Sequence, residues 1–331
     1  MHTRNLTLSP AWRDWLAENL LRGVAAERLL DTLRVNGVPE DEAARRMDEL
    51  AASPALRSAR EATLRAERLE RVASLGRVNE RLSPDPTRVE RLGAVDADAF
   101  YERYVATNTP VVLTELASGW PALETWNPRY FAERYGNVEV TMTAEREADP
   151  LYDARTAEHS RPILMRDFVQ LVEDAESDTN DFYLVAQNRN IEKDALGPLL
   201  DDVRHPPGFL NPERVIGGSA LWFGPAGTVT ALHHDCSNIL FTQIYGKKSA
   251  RLISPLETRL FDGALSMYAM VDPEDLDGAT IKRVDLEPGD TLFIPVGWWH
   301  DVRALSVSIS VAFSNFARDA DFAWYRPGDI R

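Results

Sequence analysis

Apolar residues recur at helical spacing through roughly the first 80 positions and alternate with polar ones over much of the later chain, so the sequence reads as a helical head followed by a β-rich body. Ser9-Pro10 offers an N-cap and a first-turn proline ahead of Trp12, Trp15, Leu16 and Leu20, which share one helical stripe. Gly23 ends that helix. A second helix, Ala26 to Val35, carries Leu29, Leu30 and Leu33 and stops at Asn36-Gly37. Pro39 opens a third, with Ala43, Met47 and Leu50 on one face. From Pro54 to about Leu82 a long charged helix is expected, with Leu64, Ala66, Leu69, Val72, Leu75 and Val78 as its apolar stripe. Such a face packs on a neighbouring domain or on a second copy of itself. Ser83-Pro84-Asp85-Pro86 reads as a linker. The expected organisation is therefore a helical module over 1–82, for dimerisation or substrate docking, and a second domain over 83–331.

Past the linker the pattern is mixed. Asp98 to Val105 predicts a helix, Pro110 to Leu113 a strand, Trp126-Asn127-Pro128 the start of a helix through Tyr135, and Val138 to Met142 a strand. Met165 to Asp174 predicts a helix leading to a strand at Phe182–Ala186. The tryptophans here read as core, the usual fate of large aromatic side chains. Asn238 to Tyr245 is a β-prone run, Gly246 a turn, and another strand follows. The turn Leu286-Glu287-Pro288-Gly289-Asp290 precedes a short apolar strand, Thr291–Pro295. Near the end, Val307, Ile309, Val311 and Phe313 form one apolar face that closes on an amide, Asn315, with Ser306, Ser308 and Ser310 opposite. An amide on such a face needs partners, which a metal-bound ligand or water would supply.

The composition narrows the class. With 331 residues the chain has room for one large or two modest domains. Its net charge of −15 lies entirely beyond residue 86, because the first 86 residues balance 14 arginines with 14 acidic residues. An acidic body repels nucleic acid and favours a neutral or basic partner, although the charge also serves solubility. Neither a secretory leader nor an apolar run long enough to span a membrane is evident, so a cytoplasmic protein is expected. A single cysteine, Cys236, excludes an intrachain disulfide framework.

The candidate chemistry lies in two pieces that hold half of the six histidines: Thr228–Lys248, containing His233-His234-Asp235, and Pro295–Val302, containing Gly297-Trp298-Trp299-His300. Side chains alternate along a strand, so His233 and Asp235 share a face while His234 and Cys236 point away. Two imidazoles and one carboxylate with open positions remaining describe a non-haem Fe(II) oxygenase site. His233, Asp235 and His300 are the expected ligands. A lone His-x-Asp is a weak signal; the second histidine in a turn-and-strand setting strengthens it. After Gly246 the same alternation sends Lys248 inward with Ala250 and Leu252. An inward lysine is costly unless it meets an anion, either a structural carboxylate or that of an acidic cosubstrate beside the metal.

On His233-x-Asp235, the lysine fifteen positions after that histidine, and Gly297-Trp298-Trp299-His300, the stretch from roughly 90 to 318 resembles the JmjC-type, cupin-8-like Fe(II)- and 2-oxoglutarate-dependent oxygenases, in the branch that includes the asparaginyl hydroxylase called factor inhibiting HIF. The resemblance implies an α+β protein whose catalytic domain is a double-stranded β-helix, with the core barrel at about 180–318, preceded by the α-helical module. It also implies Fe(II), 2-oxoglutarate and O2, with Lys248 on the distal carboxylate of 2-oxoglutarate, Thr230 and Tyr183 bonding the same group, and Asn315 near cosubstrate and metal. Where several relatives place an asparagine against 2-oxoglutarate, this chain has Ile239, with Asn238 adjacent but facing the other way. Trp298 and Trp299 would either wall the site against water or pack in the core. The leading expectation is hydroxylation of a side chain of a peptide or protein, with release of succinate and CO2. Nε-methyl-lysine demethylation by the same chemistry is the second. A metal cupin that uses no 2-oxoglutarate is disfavoured by Lys248, and a non-enzymatic interaction protein by the intact triad. A homodimer is the expected assembly.

Overall fold

A computed structural model of the chain describes residues 8–318; the outer ends of both expected domains, 1–7 and 319–331, lie outside the described residues. Two compact units emerge, Met1–Gly76 and Arg77–Arg331. The division falls inside a helix rather than at Ser83-Pro84-Asp85-Pro86, because the helix continues through Gly76 before that stretch turns.

The first unit contains α1 (Pro10–Leu21), α2 (Ala26–Val35), α3 (Glu40–Ala52) and most of α4 (Pro54–Arg81). Ser9 caps α1 by accepting the Trp12 N–H at 3.3 Å, with Pro10 in the first turn, where its missing N–H costs nothing. Leu8, Leu16, Leu29, Leu33 and Ala43 form its buried core, flanked by Trp12, Trp15, Met47 and Leu50. On α4, Leu64, Leu69, Val72 and Leu75 are exposed, the last three at 60% or more.

The second unit is built on two sheets. The larger runs β1 (Glu90–Leu92), β2 (Val111–Leu113), β10 (Thr291–Ile294), β7 (Ile239–Tyr245), β12 (Ser308–Phe313) and β5 (Ser219–Gly224). The smaller runs β6 (Val229–His234), β11 (Trp299–Ala304), β8 (Lys248–Ile253) and β9 (Ile281–Leu286). A separate hairpin-like pair joins β3 (Glu139–Thr143) to β4 (Ser160–Leu164). Between the two main sheets Val112, Phe241, Leu292 and Ala312 meet Ala250, Leu252, Val284 and Leu286. This is the two-sheet jelly roll of a double-stranded β-helix. The opposite face of the larger sheet is covered as well. There Val111, Leu113, Phe293, Ile309, Val311 and Phe313 pack with Phe100, Phe131 and Phe168 of the preceding helical segments.

Two expectations are revised here. Phe182–Ala186 makes only single bridges, Tyr183 to Thr143 and Leu184 to Phe223, and no regular strand. On β12 the apolar face turns to the outer helical layer, and Ser308, Ser310 and Ala312 turn to the barrel. With the larger sheet buried on both faces, the apolar side went to the larger hydrophobic layer. Gly246 makes the β7–β8 turn at φ +69°, where a Cβ would stand 2.0 Å from Val307 O. No helix among the described residues is long and apolar enough to cross a membrane.

Candidate active site

β6 and β11 are hydrogen-bonded neighbours, with His233 directly opposite His300. That pairing brings together two histidines separated by most of the barrel sequence. The ring centroids lie 4.2 Å apart. Asp235, just past the end of β6, sets Oδ2 at 4.0 Å from His233 Nε2 and 3.5 Å from His300 Nε2. One ligand atom from each of the three falls within 4.8 Å of the others, a group that could hold a metal ion.

The remaining ring nitrogens are already committed. His233 Nδ1 donates to Ala231 O at 2.8 Å, and His300 Nδ1 to Trp298 O at 3.0 Å. A carbonyl can only accept, so each Nδ1 carries the proton and each Nε2 presents a lone pair, the tautomer a metal requires. Burial, reinforced by the neighbouring His233, pushes the His300 imidazolium down to about 4, so protons compete weakly for that nitrogen. The donor set and its orientation fit a metal bound by two imidazoles and one carboxylate.

His234 behaves as strand parity requires. It is fully buried on the other side of β6, edge-on to the Trp299 ring at 4.7 Å. Trp299 packs there with Leu232, Ile253, Leu260 and Ile281, and Trp298 donates its indole N–H to Asn108. Neither tryptophan lines the cavity beside the triad, so both serve packing.

That cavity is lined by the three triad residues together with Thr230, Ile239, Lys248, Trp222, Gln187 and Met267, among others. Lys248 is 1% exposed, and its ammonium donates to the Tyr183 hydroxyl at 2.9 Å. No carboxylate among the described residues pairs with it, and burial pulls it down to about 7. A buried cation whose neighbours are a hydroxyl and the Phe241 ring, 5.2 Å away, lacks a counter-anion. The structure thus leaves a place for an acidic ligand between Lys248 and the triad, which fits the 2-oxoglutarate expected from the sequence. Burial also raises the Tyr183 hydroxyl, opposed by Arg146 and by hydrogen bonds with Thr228 and Thr230. The phenol is therefore a neutral donor or acceptor at neutral pH.

Asn315 does not take the place expected for it. Its Nδ2 donates to Asn211 O at 2.8 Å, its Oδ1 finds no partner among the described residues, and it is absent from the cavity lining, where Ser314 stands instead. β12 ends at Phe313, so Asn315 lies beyond the strand, where its neighbour Phe316 joins the outer hydrophobic layer and Asn315 itself is tied to Asn211. Asn238 is not a substitute contact either. Its Oδ1 accepts the Val296 N–H at 2.9 Å and so anchors the turn before His300. Ile239 does line the cavity. Tyr268, which no sequence signal marks, also stands beside the triad: its ring lies 5.7 Å from His233, and its hydroxyl accepts from Gln187 at 3.2 Å. It sits in a stretch with no periodicity to flag it.

The sequence profile of a cupin-like domain family matches residues 97–319. Among curated proteins, the chain is 30% identical to lysine-specific demethylase JMJ30 of Arabidopsis thaliana, over 68% of this chain and 54% of that one. It is 31% identical to lysine-specific demethylase 8 of Xenopus tropicalis, over 69% and 52% respectively. The tRNA wybutosine-synthesizing protein 5 of Danio rerio is 27% identical over 66% of this chain and 72% of its own length. The chain thus spans about half the length of the two demethylases it matches. With the jelly roll, the His-Asp-His cluster and a profile covering most of the sequence, the chain belongs to the cupin-like, JmjC-type family of Fe(II)- and 2-oxoglutarate-dependent oxygenases.

Proposed function

We propose that the chain oxidises a C–H bond on a side chain of a protein or peptide, with His233, Asp235 and His300 holding Fe(II) and Lys248 anchoring 2-oxoglutarate. The observation that carries this reading is a buried ammonium without a counter-anion in the same cavity as the oriented triad. When bound, Fe(II) and 2-oxoglutarate supply the oxidising power of O2, with 2-oxoglutarate ending as succinate and CO2. The protein's own residues do the rest. Lys248 neutralises the distal carboxylate, with Tyr183 and Thr230 beside it as hydrogen-bond partners. Ile239, Phe241, Ile294 and Val302 exclude water from the cavity.

Two targets follow from one chemistry. Oxidation at a carbon of the side chain leaves a stable alcohol. Oxidation of an N-methyl group leaves a hydroxymethyl amine, which loses formaldehyde. The names of the demethylase relatives support Nε-methyl-lysine over the stable hydroxylation expected from the sequence. Hydroxylation of a neutral side chain keeps one point in its favour: the cavity lining includes no carboxylate besides Asp235 to meet a lysine ammonium. Incubation with methylated and unmethylated peptide libraries separates the two. Formaldehyde with a mass loss of one methyl group identifies demethylation; a retained oxygen atom identifies hydroxylation. Succinate release that no peptide stimulates, or that tRNA alone stimulates, would refute a protein substrate.

A further inference from the structure

β6 is the edge strand of the smaller sheet, with β11 along one side only. Edge strands leave backbone groups without ladder partners. On the first half of β6, three side chains stand where a neighbouring strand would be. Asn180 Oδ1 accepts the Val229 N–H at 2.8 Å, Arg146 Nη2 donates to Val229 O at 2.6 Å, and Asp153 Oδ2 accepts the Ala231 N–H at 2.8 Å. Val229 O and Ala231 N belong to the two peptide groups on either side of Thr230. The next acceptor along the edge, Ala231 O, is the one that orients the His233 ring.

The clamp is itself tied in on several sides. Arg146 is 0% exposed; its Nη1 donates to Asp153 Oδ1 at 3.0 Å and Thr143 Oγ1 at 3.1 Å, and its Nε to Asn180 O at 3.0 Å. The guanidinium lies 4.2 Å from the Tyr152 ring centre and 5.5 Å from that of Tyr183, the tyrosine that meets Lys248. A buried ion pair seldom adds stability over apolar packing of the same volume, so its presence here calls for another reason. Geometry supplies one, since a planar fork can fix several acceptors at set angles.

We propose that Arg146 and Asp153 are positioning residues for the oxygenase site. They hold both peptide planes around Thr230 and the backbone that aims His233, and Arg146 borders the tyrosine beside the cosubstrate anchor. The proposal rests on the Fe(II) and 2-oxoglutarate reading given above.

The test uses the full chain. Co(II) binding is followed by visible absorption and 2-oxoglutarate binding by calorimetry, in wild type, Arg146→Lys, Asp153→Asn and Arg91→Lys. Lysine keeps the charge without the fork. Asparagine keeps an acceptor for the Ala231 N–H without the ion pair. Both variants should bind Co(II) about tenfold to a hundredfold more weakly, the usual effect of removing support behind a metal ligand, with a changed absorption envelope. The 2-oxoglutarate affinity should fall further in Arg146→Lys, since only Arg146 borders Tyr183. Arg91→Lys disturbs the buried Asp290 carboxylate and no group on β6. It should lower the melting temperature of the metal-free chain while leaving both affinities within about twofold of wild type. Near-wild-type Co(II) binding by Asp153→Asn and by any folded Arg146→Lys overturns the proposal, as does an equal loss in Arg91→Lys. Should Arg146→Lys fail to fold, the isosteric Asp153→Asn decides alone. A wild-type chain that takes up neither Co(II) nor 2-oxoglutarate refutes the proposed function itself and this proposal with it, a result distinct from normal binding by the variants.

Discussion

Burial makes the charge of Lys248 depend on what fills the cavity. In the ligand-free protein the ammonium is held down to about 7, whereas a carboxylate placed against it favours the protonated form. Binding of 2-oxoglutarate should therefore take up a proton whenever the pH exceeds about 7. Affinity should drop by up to about tenfold per pH unit above that point and be flat, as far as this group matters, below it. Calorimetry in buffers of different ionisation heat measures the uptake; no uptake at pH 8 would contradict the placement. Lys248→Ala should weaken binding by about tenfold to a hundredfold, the worth of a charge-assisted bond at roughly 1.5–3 kcal/mol, while exposed Lys247→Ala should change it little. The histidine pair offers a second contrast. His233→Ala should abolish Co(II) binding, whereas His234→Ala should keep the metal and lose stability, because it empties a packed site against Trp299. Equal loss of metal in both would mean that His233 is not the ligand that distinguishes the two positions. All of these assignments follow from strand parity, which needs only that the residues lie on a strand.

At the scale of elements, the β7–β8 turn decides whether that parity reaches the cavity. Gly246 has positive φ and no room for a Cβ beside Val307 O, so it fixes the turn from which β8 starts and, with the pairing to β9 and β11, the side that Lys248 faces. Gly246→Ala should cost several kcal/mol, by the strain of the left-handed region plus a backbone clash, and weaken 2-oxoglutarate binding in the fraction that folds. Urea unfolding followed by calorimetry reads both; a stability within about 0.5 kcal/mol of wild type would show that the turn relaxes freely. β12 carries the opposite lesson. Its alternation between aliphatic residues and serines was plain, but alternation says only that two faces differ. Which face meets the barrel depended on the helical layer outside the larger sheet. Asn315 lies past the end of that strand and outside the cavity lining, where strand alternation no longer applies.

At the scale of the molecule, the apolar stripe on α4 is the feature that asks for a partner. Leu69, Val72 and Leu75 are each at least 60% exposed, on a helix rich in arginine and glutamate. Self-association through such a stripe is the common solution among soluble proteins, and a homodimer is expected. Light scattering on the full chain should report a dimer that Val72→Glu converts to a monomer without loss of Co(II) binding. A wild-type chain that is already monomeric at high micromolar concentration would remove this role. The charge is divided too: the neutral first 86 residues precede a body that carries the whole −15. Substrate peptides of basic or neutral character should accordingly bind faster at low salt than acidic ones.

Local rules sufficed where the information was local. The caps and stripes of α1 to α4, the His233–Asp235 pair, the inward lysine and the turn at Gly246 all follow from backbone periodicity and from what a single residue can do. The second ligand, His300, was legible because its surrounding turn and strand resembled a known pattern, although only the β6–β11 pairing sets it opposite His233. The Arg146–Asp153 clamp was not legible at all. Glu-Arg-Glu-Ala-Asp reads as a solvated charged loop, and nothing local says that one arginine in it is fully buried. Burial, sheet facing and the bonding of a strand edge are decided by segments far apart in the chain, so only the tertiary structure could settle them.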